Sequence, residues 1–578
     1  MQRSTQSLTD TQFDVLVIGG GAFGAAAARE ASLRGLRSAL IERFDFGGAT
    51  SAECFKMVHG GIRYLQHADL PRLRASCRER STFLRIAPHL VHPLPIAIPT
   101  YGRGRRGRAF LGAGACVYDL LTLDRNWGIA DPQRRVRRTQ FLSRTELLAV
   151  FPHLAAPDLS GAVVFEDGQM YNPARLVLAF VKAAVERGST ACNYVEALHY
   201  LREGSRVIGV RARDSLSGET FDVRARLTLN AAGPWADYLH AKDARFGEPS
   251  RTLFSRDAYF IVNRTPKSAY ALAVQGLSRD KDAVLSRANR HLFAAPWGDK
   301  TLFGVWHRHF MDPPDAAKIA REELQSWITE LNTVYPALQL TMDEVSFAHC
   351  GLVPFGETAT QEELSFGKQS RLIDHRKQGI GGLVSLVGIR FTTARSDAAR
   401  AIEMLLRQMP ARPVPRASLS SLQTPLPGGN IDSFARFCTQ SKHALGSIHG
   451  PAARALLRNF GTEFRDVIEL CRTDPAGACT IAGTETLAGE IWHAVDREMA
   501  VRLEDVVMRR TNLAAGRHPG RQALESVANE MARRLHWSAQ RAIEEIDDTE
   551  RALAKHHARP PSESPGSSEV GIPCRVSA

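Results

Sequence analysis

The sequence predicts an α/β fold, α+β in the part that caps it, followed by an all-helical C-terminal domain. Three observations predict it. Residues 13–42 read as strand, glycine turn, helix and strand. A second strand, glycine turn and helix recur far downstream, in "GLVSLVGIRFTTARSDAARAIEMLL" at 382–406. Past the Pro/Gly linker "TPLPGGN" at 424–430, apolar residues fall at helical spacing with charges opposite, as in "EIWHAVDREMAVRLEDVVMRR" at 490–510.

The elements follow in order. Residues 1–12 are polar, lack the apolar stretch of a secretory signal and are expected to be disordered. "FDVLVIGG" is a continuous apolar run ending in glycine, as a buried parallel strand is. Gly19, Gly21 and Gly24 then fit G-x-G-x-x-G, with Ala22 and Phe23 between the last two. The first glycine permits the tight turn, the second lets backbone approach a pyrophosphate, and the third lets helix and strand pack closely. The small-residue helix that follows stops at Gly35, and the strand "LRSALIE" closes on Glu42, placed to accept hydrogen bonds from ribose hydroxyls.

This motif fits NAD and FAD equally. The rest of the chain favours FAD. A glycine-rich strand end returns at "NAAGPWA" (230–236), and "LVGIRFTTAR" (386–395) repeats the strand–turn–helix pattern. Distant segments that return to one nucleotide domain are the habit of glutathione-reductase-type flavoproteins; an NAD dehydrogenase would keep that domain contiguous. The FAD-dependent part is expected over 13–425. Its FAD-binding segments fall at about 13–100, 155–245 and 346–410, and a β-sheet substrate cap at about 101–154 and 246–345. Residues 426–556 form the helical domain, and the Pro/Ser/Gly-rich residues 557–578 are expected to be disordered.

A chain of 578 residues is too long for one core. No window reaches the 18 or so continuous apolar residues of a membrane span. The closest, "AFLGAGACVYDLLTL" (109–123), follows the basic run "YGRGRRGR" (101–108). That pair reads either as a patch for an anionic membrane surface or as a solvated loop before a core helix. The net charge of +13 favours anionic partners, but it is spread along the chain without a nucleic-acid-binding signature, so no nucleic acid partner is expected. Nine scattered cysteines without a C-x-x-C pair suggest reduced thiols in the cytoplasm and no metal site.

"FKMVHGGIRYLQH" (55–67) is unlike a core segment, because Lys56, His59 and Arg63 recur among apolar neighbours with two glycines between them. Buried cations need partners. Together with "DVLVIGGGAFGAAAAREASLRGLRSALIE", "ERSTFLRIAPHLV", "NPARLVLAF", "NAAGPWADYL", "VGIRFTTAR", "PLPGG" and "REMAVRLEDVVMRRTNL", it resembles the FAD-dependent glycerol-3-phosphate dehydrogenases. The motifs run in that family's order from residue 13 to about 540.

The resemblance implies oxidation of sn-glycerol 3-phosphate to dihydroxyacetone phosphate. A hydride passes to flavin N5, and the electrons go on to a membrane quinone or to O2. It implies a cytoplasmic protein peripheral to the membrane's inner face, and it allows a homodimer. By position it gives the cofactor Gly19, Gly21, Ala22, Phe23, Gly24, Glu42, Thr50, Ser51, Lys56, His59, Val195, Ala232, Gly233, Gly388, Phe391 and Thr392. It gives the substrate Arg63, Tyr64 and Arg390, and catalysis His59, Arg63 and Arg390. His59 is the candidate base, since imidazole titrates near neutral pH; the alternative is a structural histidine.

Three departures fall in substrate-facing segments. The family's "SGVRP" arginine is Val353, the lysine of "GGKLTTYR" is Arg390, and the "GTTD" turn is replaced by Gly304-Val-Trp306-His307. His307, Trp306 or Arg308 is expected to supply replacement contacts, and a different hydroxylated or amine substrate is the alternative reading.

Overall fold

The computed structural model describes residues 1–66, 68–104, 107–152, 154, 156–246, 252–279, 289–354, 370–409 and 419–559. Two sheets organise the chain before the C-terminal helices. The first runs Arg371–Asp374, Leu383–Val387, Thr220–Asn230, Phe13–Ile18, Ser38–Ile41, Thr190–Cys192. Its central pairs are parallel, and every residue of Phe13–Ile18 is buried, which is why that strand reads as continuously apolar. A hairpin, Val195–Glu203 and Arg206–Asp214, extends the sheet through the far end of Thr220–Asn230. Helices Ala22–Leu33, Pro173–Val185 and Ala394–Leu406 pack together around Val15, Val17, Leu227 and Leu386. Alanine at 25–28 and 31 lets the first helix lie close to its neighbours.

The second sheet has nine strands, in the order Val345–Pro354, Phe254–Val262, Lys300–Phe310, Asn289–Trp297, Ala271–Arg279, Val91–Tyr101, Leu159–Met170, Met57–Val58, with Gln140–Ser143 also on Leu159–Met170. One face packs on helix Arg321–Val334 through Phe260, Phe303 and Trp327. The other, with Tyr259, Ile261 and Phe347, packs on helices Ala488–Glu498 and Arg521–Leu535 of the C-terminal domain. That domain therefore covers the apolar back of the second sheet.

Two expectations are corrected. Residues 1–12 are ordered: Gln6–Thr9 is a helical turn, Leu8 is fully buried beside Phe13, and Arg3 pairs with Asp214 at 2.7 Å. One buried leucine in a polar dozen leaves no periodicity to read. The segment boundaries also shift. Val91–Tyr101, Leu159–Met170 and Val345–Pro354, read as FAD-binding segments, pair in the second sheet. Val91–Tyr101 carries prolines at 93, 95 and 99, all of one parity, so the missing N–H groups share one side of the strand. Its parallel ladder to Ala271–Arg279 is accordingly limited to Ile96 and Ala97. Of the expected disordered tail, 560–578 lie outside the described residues; Ala558 is buried and His557 Nε2 bonds the Ile319 carbonyl at 2.8 Å.

The C-terminal domain is tied to the first sheet by buried charges. Asp45 bonds the Arg509 guanidinium at 2.7 Å and that of Arg510 at 2.6 and 2.7 Å. Glu498 accepts from Arg175 at 2.5 Å and Lys182 at 3.3 Å. Asp45, Glu498 and Arg510 are almost wholly excluded from solvent.

Candidate active site

The glycine turn is shaped for a ligand. Gly19 has φ +101, and a Cβ there would meet the Ala231 oxygen at 2.6 Å; one on Gly24 would meet the Gly19 oxygen at 1.8 Å. A Cβ on Gly21 would meet only Ser51 Oγ, at 3.0 Å, so the space above the helix start is open. Ser51 Oγ accepts from the Ala22 N–H at 2.9 Å. Glu42 accepts from Gly20 N at 2.6 Å and Phe44 N at 2.9 Å. Burial pushes its carboxyl pKa up, against the pull of those two N–H groups. The Val195 N–H bonds the Glu42 carbonyl at 2.7 Å, and Ala232 packs on Gly19, with Gly233 at φ +57. An open helix N-terminus with a carboxylate at the next strand end fits the diphosphate and ribose of FAD.

The loop from Thr50 to Lys56 links this cradle to the second sheet. Leu352 N donates to Thr50 Oγ1 at 3.2 Å. Lys56 is buried with φ +58, its ammonium 4.6 Å from the Trp297 ring centroid. Burial pushes its pKa down. Gly388 meets the Phe23 ring, at which a Cβ would stand 2.0 Å from Cζ, and Phe391 packs near Phe83 at 6.1 Å between centroids.

His59 and its support form the reactive corner. The His59 N–H donates to Thr392 Oγ1 at 2.9 Å, and its Nδ1 lies 3.4 Å from Asp167 Oδ2. The His59 side chain is 45% exposed, while its Nδ1 faces Asp167. Asp167 also accepts from Gly60 N at 2.6 Å and from Arg80 at 3.0 Å. Arg80 is wholly buried and binds Tyr118 Oη at 3.0 Å and the Glu166 carbonyl at 2.8 Å. A Cβ on Gly60 would meet Arg80 Nη1 at 2.0 Å, which explains the first glycine of the pair. The second, Gly61, has φ +82. Sequence reading missed Asp167, Arg80 and Tyr118; the acid pair Glu166-Asp167 inside an apolar strand was the available signal.

Beside this corner, Arg390 donates to Tyr64 Oη and sits 4.9 Å from that ring, while Arg72 covers it at 4.8 Å. Burial pushes the Arg390 pKa down to about 10, leaving it a cation at neutral pH. The side chain of Arg63 and residue His67 lie outside the described residues.

The other expected contacts separate. Trp306 stacks between Phe260 and Trp327 and donates to Glu330 at 2.8 Å, on the helix side of the sheet, so it is a packing residue there. His307 pairs with Asp257 at 2.8 Å, and Arg308 with Glu323 at 2.8 Å. Val353 lies across from Ser255, next to Leu352 and hence beside Thr50. The position expected to hold an arginine is thus at the cofactor loop, and it is apolar.

Residues 14–388 match the model of the FAD dependent oxidoreductase family, and 420–542 that of the C-terminal domain of alpha-glycerophosphate oxidase. The chain is 29% identical to a glycerol-3-phosphate dehydrogenase of Synechocystis over 94% of this chain and 97% of the relative. It is 30% identical to one of Mycobacterium leprae over 95% and 88%. The FAD complex of glycerol-3-phosphate dehydrogenase from Bacillus halodurans superposes with a TM-score of 0.72 at 23% identity, covering 95% of this chain and 96% of that one.

Proposed function

The chain belongs to the FAD-dependent glycerol-3-phosphate dehydrogenase family, and from that premise we propose that it oxidises sn-glycerol 3-phosphate to dihydroxyacetone phosphate and passes the electrons to a quinone. The observation that carries this reading is His59. Its Nδ1 is held by buried Asp167, and its exposed edge lies in the same corner as Tyr64 and Arg390.

Arg390 and Tyr64 hold the substrate phosphate, with Arg63 assisting by resemblance. Tyr64 fixes the guanidinium plane, and guanidinium binds phosphate through two parallel N–H groups. Nε2 of His59 takes the C2 hydroxyl proton. Asp167 is a positioning residue: it holds the ring and favours the imidazolium that forms. FAD, held by the Gly19–Gly24 turn, Glu42 and Ser51, supplies the two-electron acceptor for the C2 hydrogen. Turnover of a panel of polyol phosphates, free polyols and amines with a soluble dye acceptor tests the reading. Preference for glycerol 3-phosphate is expected, and preference for an unphosphorylated compound contradicts it.

Val353 favours a second reading, in which the substrate is larger or less charged. The substitution V353R separates the two. On the main reading it adds a charge-assisted bond and lowers KM for glycerol 3-phosphate about tenfold. On the second it abolishes the native activity and leaves that KM unchanged.

Quinone is a membrane substrate, and one surface suits that source. Among the described residues no helix is long and apolar enough to cross a membrane. Helix Arg108–Leu121 and the turn after it expose Phe110, Leu120, Leu123 and Trp127, the last three about two-thirds exposed. Arg108 opens this helix, and Arg103 precedes it in the sequence. We place this face on anionic lipid. Co-sedimentation with anionic phospholipid vesicles is expected for the native protein and lost in L120D/L123D, with dye-linked turnover kept. Equal sedimentation of both would contradict the placement.

A further inference from the structure

One side-chain cluster takes no part in the chemistry above. Glu53 follows the Thr50–Ser51 turn, His349 sits on strand Val345–Pro354, and His556 ends helix Ala539–Lys555. Three distant segments thus converge. Glu53 Oε2 is 2.7 Å from His349 Nδ1 and 3.7 Å from His556 Nδ1, and one donor atom from each residue lies within 4.8 Å of the others. We propose that Glu53, His349 and His556 bind one divalent transition-metal ion of the zinc class, which pins the end of the C-terminal domain to the cofactor loop.

The donor set is two imidazoles and a carboxylate, which suits zinc with a fourth position left for water. Ligands at about 2.0 Å in a tetrahedron stand roughly 3.3 Å apart; the observed 2.7 and 3.7 Å straddle this. The rings are fixed before any ion arrives. Tyr259 stacks on His349 at 4.9 Å and Phe347 on His556 at 4.7 Å. The backbone is fixed too, because Ala348 N donates to the His556 carbonyl at 2.7 Å. His556 Nδ1 lies 3.0 Å from the Ala348 oxygen, a hydrogen bond that a metal–nitrogen bond would replace.

Space for a fourth ligand is present on both sides. A cavity of 240 Å³ is lined by Glu53, Lys56, His349, Arg509 and His556, and one of 170 Å³ by Glu53, Ala348 and His556. Lys56 and Arg509 favour an anionic fourth ligand such as hydroxide or chloride. No local spacing announces the site, since its residues lie hundreds of positions apart.

The proposal is independent of substrate identity and is tested on the full-chain, FAD-loaded protein. Chelator-treated protein is titrated with Zn²⁺ by calorimetry, its metal content is measured, and thermal unfolding is followed with Zn²⁺ and with chelator. Binding of one Zn²⁺ per chain and a raised unfolding midpoint are expected. E53Q and H556Q should each weaken binding by at least about a hundredfold and erase the Zn²⁺-dependent shift. Absence of saturable one-to-one binding overturns the proposal, as does binding unchanged in both variants. If H556Q does not fold, H349Q and the native chelator comparison decide. A midpoint indifferent to Zn²⁺ and chelator leaves a hydrogen-bonded latch and overturns the metal site.

Discussion

Replacing His59 by asparagine is expected to lower kcat/KM for glycerol 3-phosphate by about 10²- to 10⁴-fold, the usual worth of a positioned general base. Asparagine keeps a polar group toward Asp167 and leaves the backbone bond from His59 N to Thr392 in place. FAD content and substrate Kd should therefore change little. The loss should fall on kcat, and the pH profile of kcat/KM should change. A structural histidine would behave differently: H59N would lose FAD or fold, and its remaining activity would keep the native pH profile. Rates of flavin reduction across pH, in native protein and H59N, distinguish these outcomes.

Replacing Asp45 by asparagine is expected to destabilise the fold by about 3–5 kcal/mol, because it leaves buried guanidinium groups without their carboxylate. Arg509 retains Glu504 and Asp505, each at 2.8 Å, whereas among the described residues the Arg510 guanidinium is left with hydrogen bonds to the Glu498 carbonyl oxygen. Asp45 stands three residues after Glu42, so loosening it should also weaken FAD retention. Denaturant unfolding followed by FAD release reads both effects, and an unchanged midpoint would show that the C-terminal domain is anchored elsewhere.

The same buried charges set an acid limit. Burial pushes the Asp45 carboxyl up, but Arg510 and Arg509 outweigh it and hold it below the usual carboxylate range. Its contribution is therefore present above the unfolded pKa of about 4 and is lost as pH falls through the lower folded value. His89 and His493 are buried, and burial pushes each down to about 3. The unfolded chain protonates both near pH 6.5 while the native one does not, so each costs about 1.4 kcal/mol per pH unit below that point. These two histidines should make stability decline from about pH 6 downward, before Asp45 titrates.

Local patterns carried the cofactor half of the site. Gly19, Gly21, Gly24 and Glu42 lie within one strand–helix–strand unit, and the collisions a Cβ would meet at Gly19 and Gly24 show why glycine stands there. At Gly60 the group that requires a glycine is Arg80, whose guanidinium a Cβ would strike. Asp167 was not legible. It reaches His59 through pairing of Met57–Val58 with Leu159–Met170, and no spacing encodes an antiparallel register. Trp306 illustrates the reverse error. It neighbours His307 in sequence, yet strand alternation sends it to the opposite face, where it stacks on Trp327. The ordered N-terminus rests on one side chain, Leu8, which no periodicity announces.

The most direct measurement of the central claim is the flavin absorption spectrum of the purified protein during anaerobic titration with sn-glycerol 3-phosphate. Stoichiometric bleaching by glycerol 3-phosphate, greatly slowed in H59N, is the result expected. An oxidised flavin spectrum that persists at millimolar glycerol 3-phosphate would contradict the account.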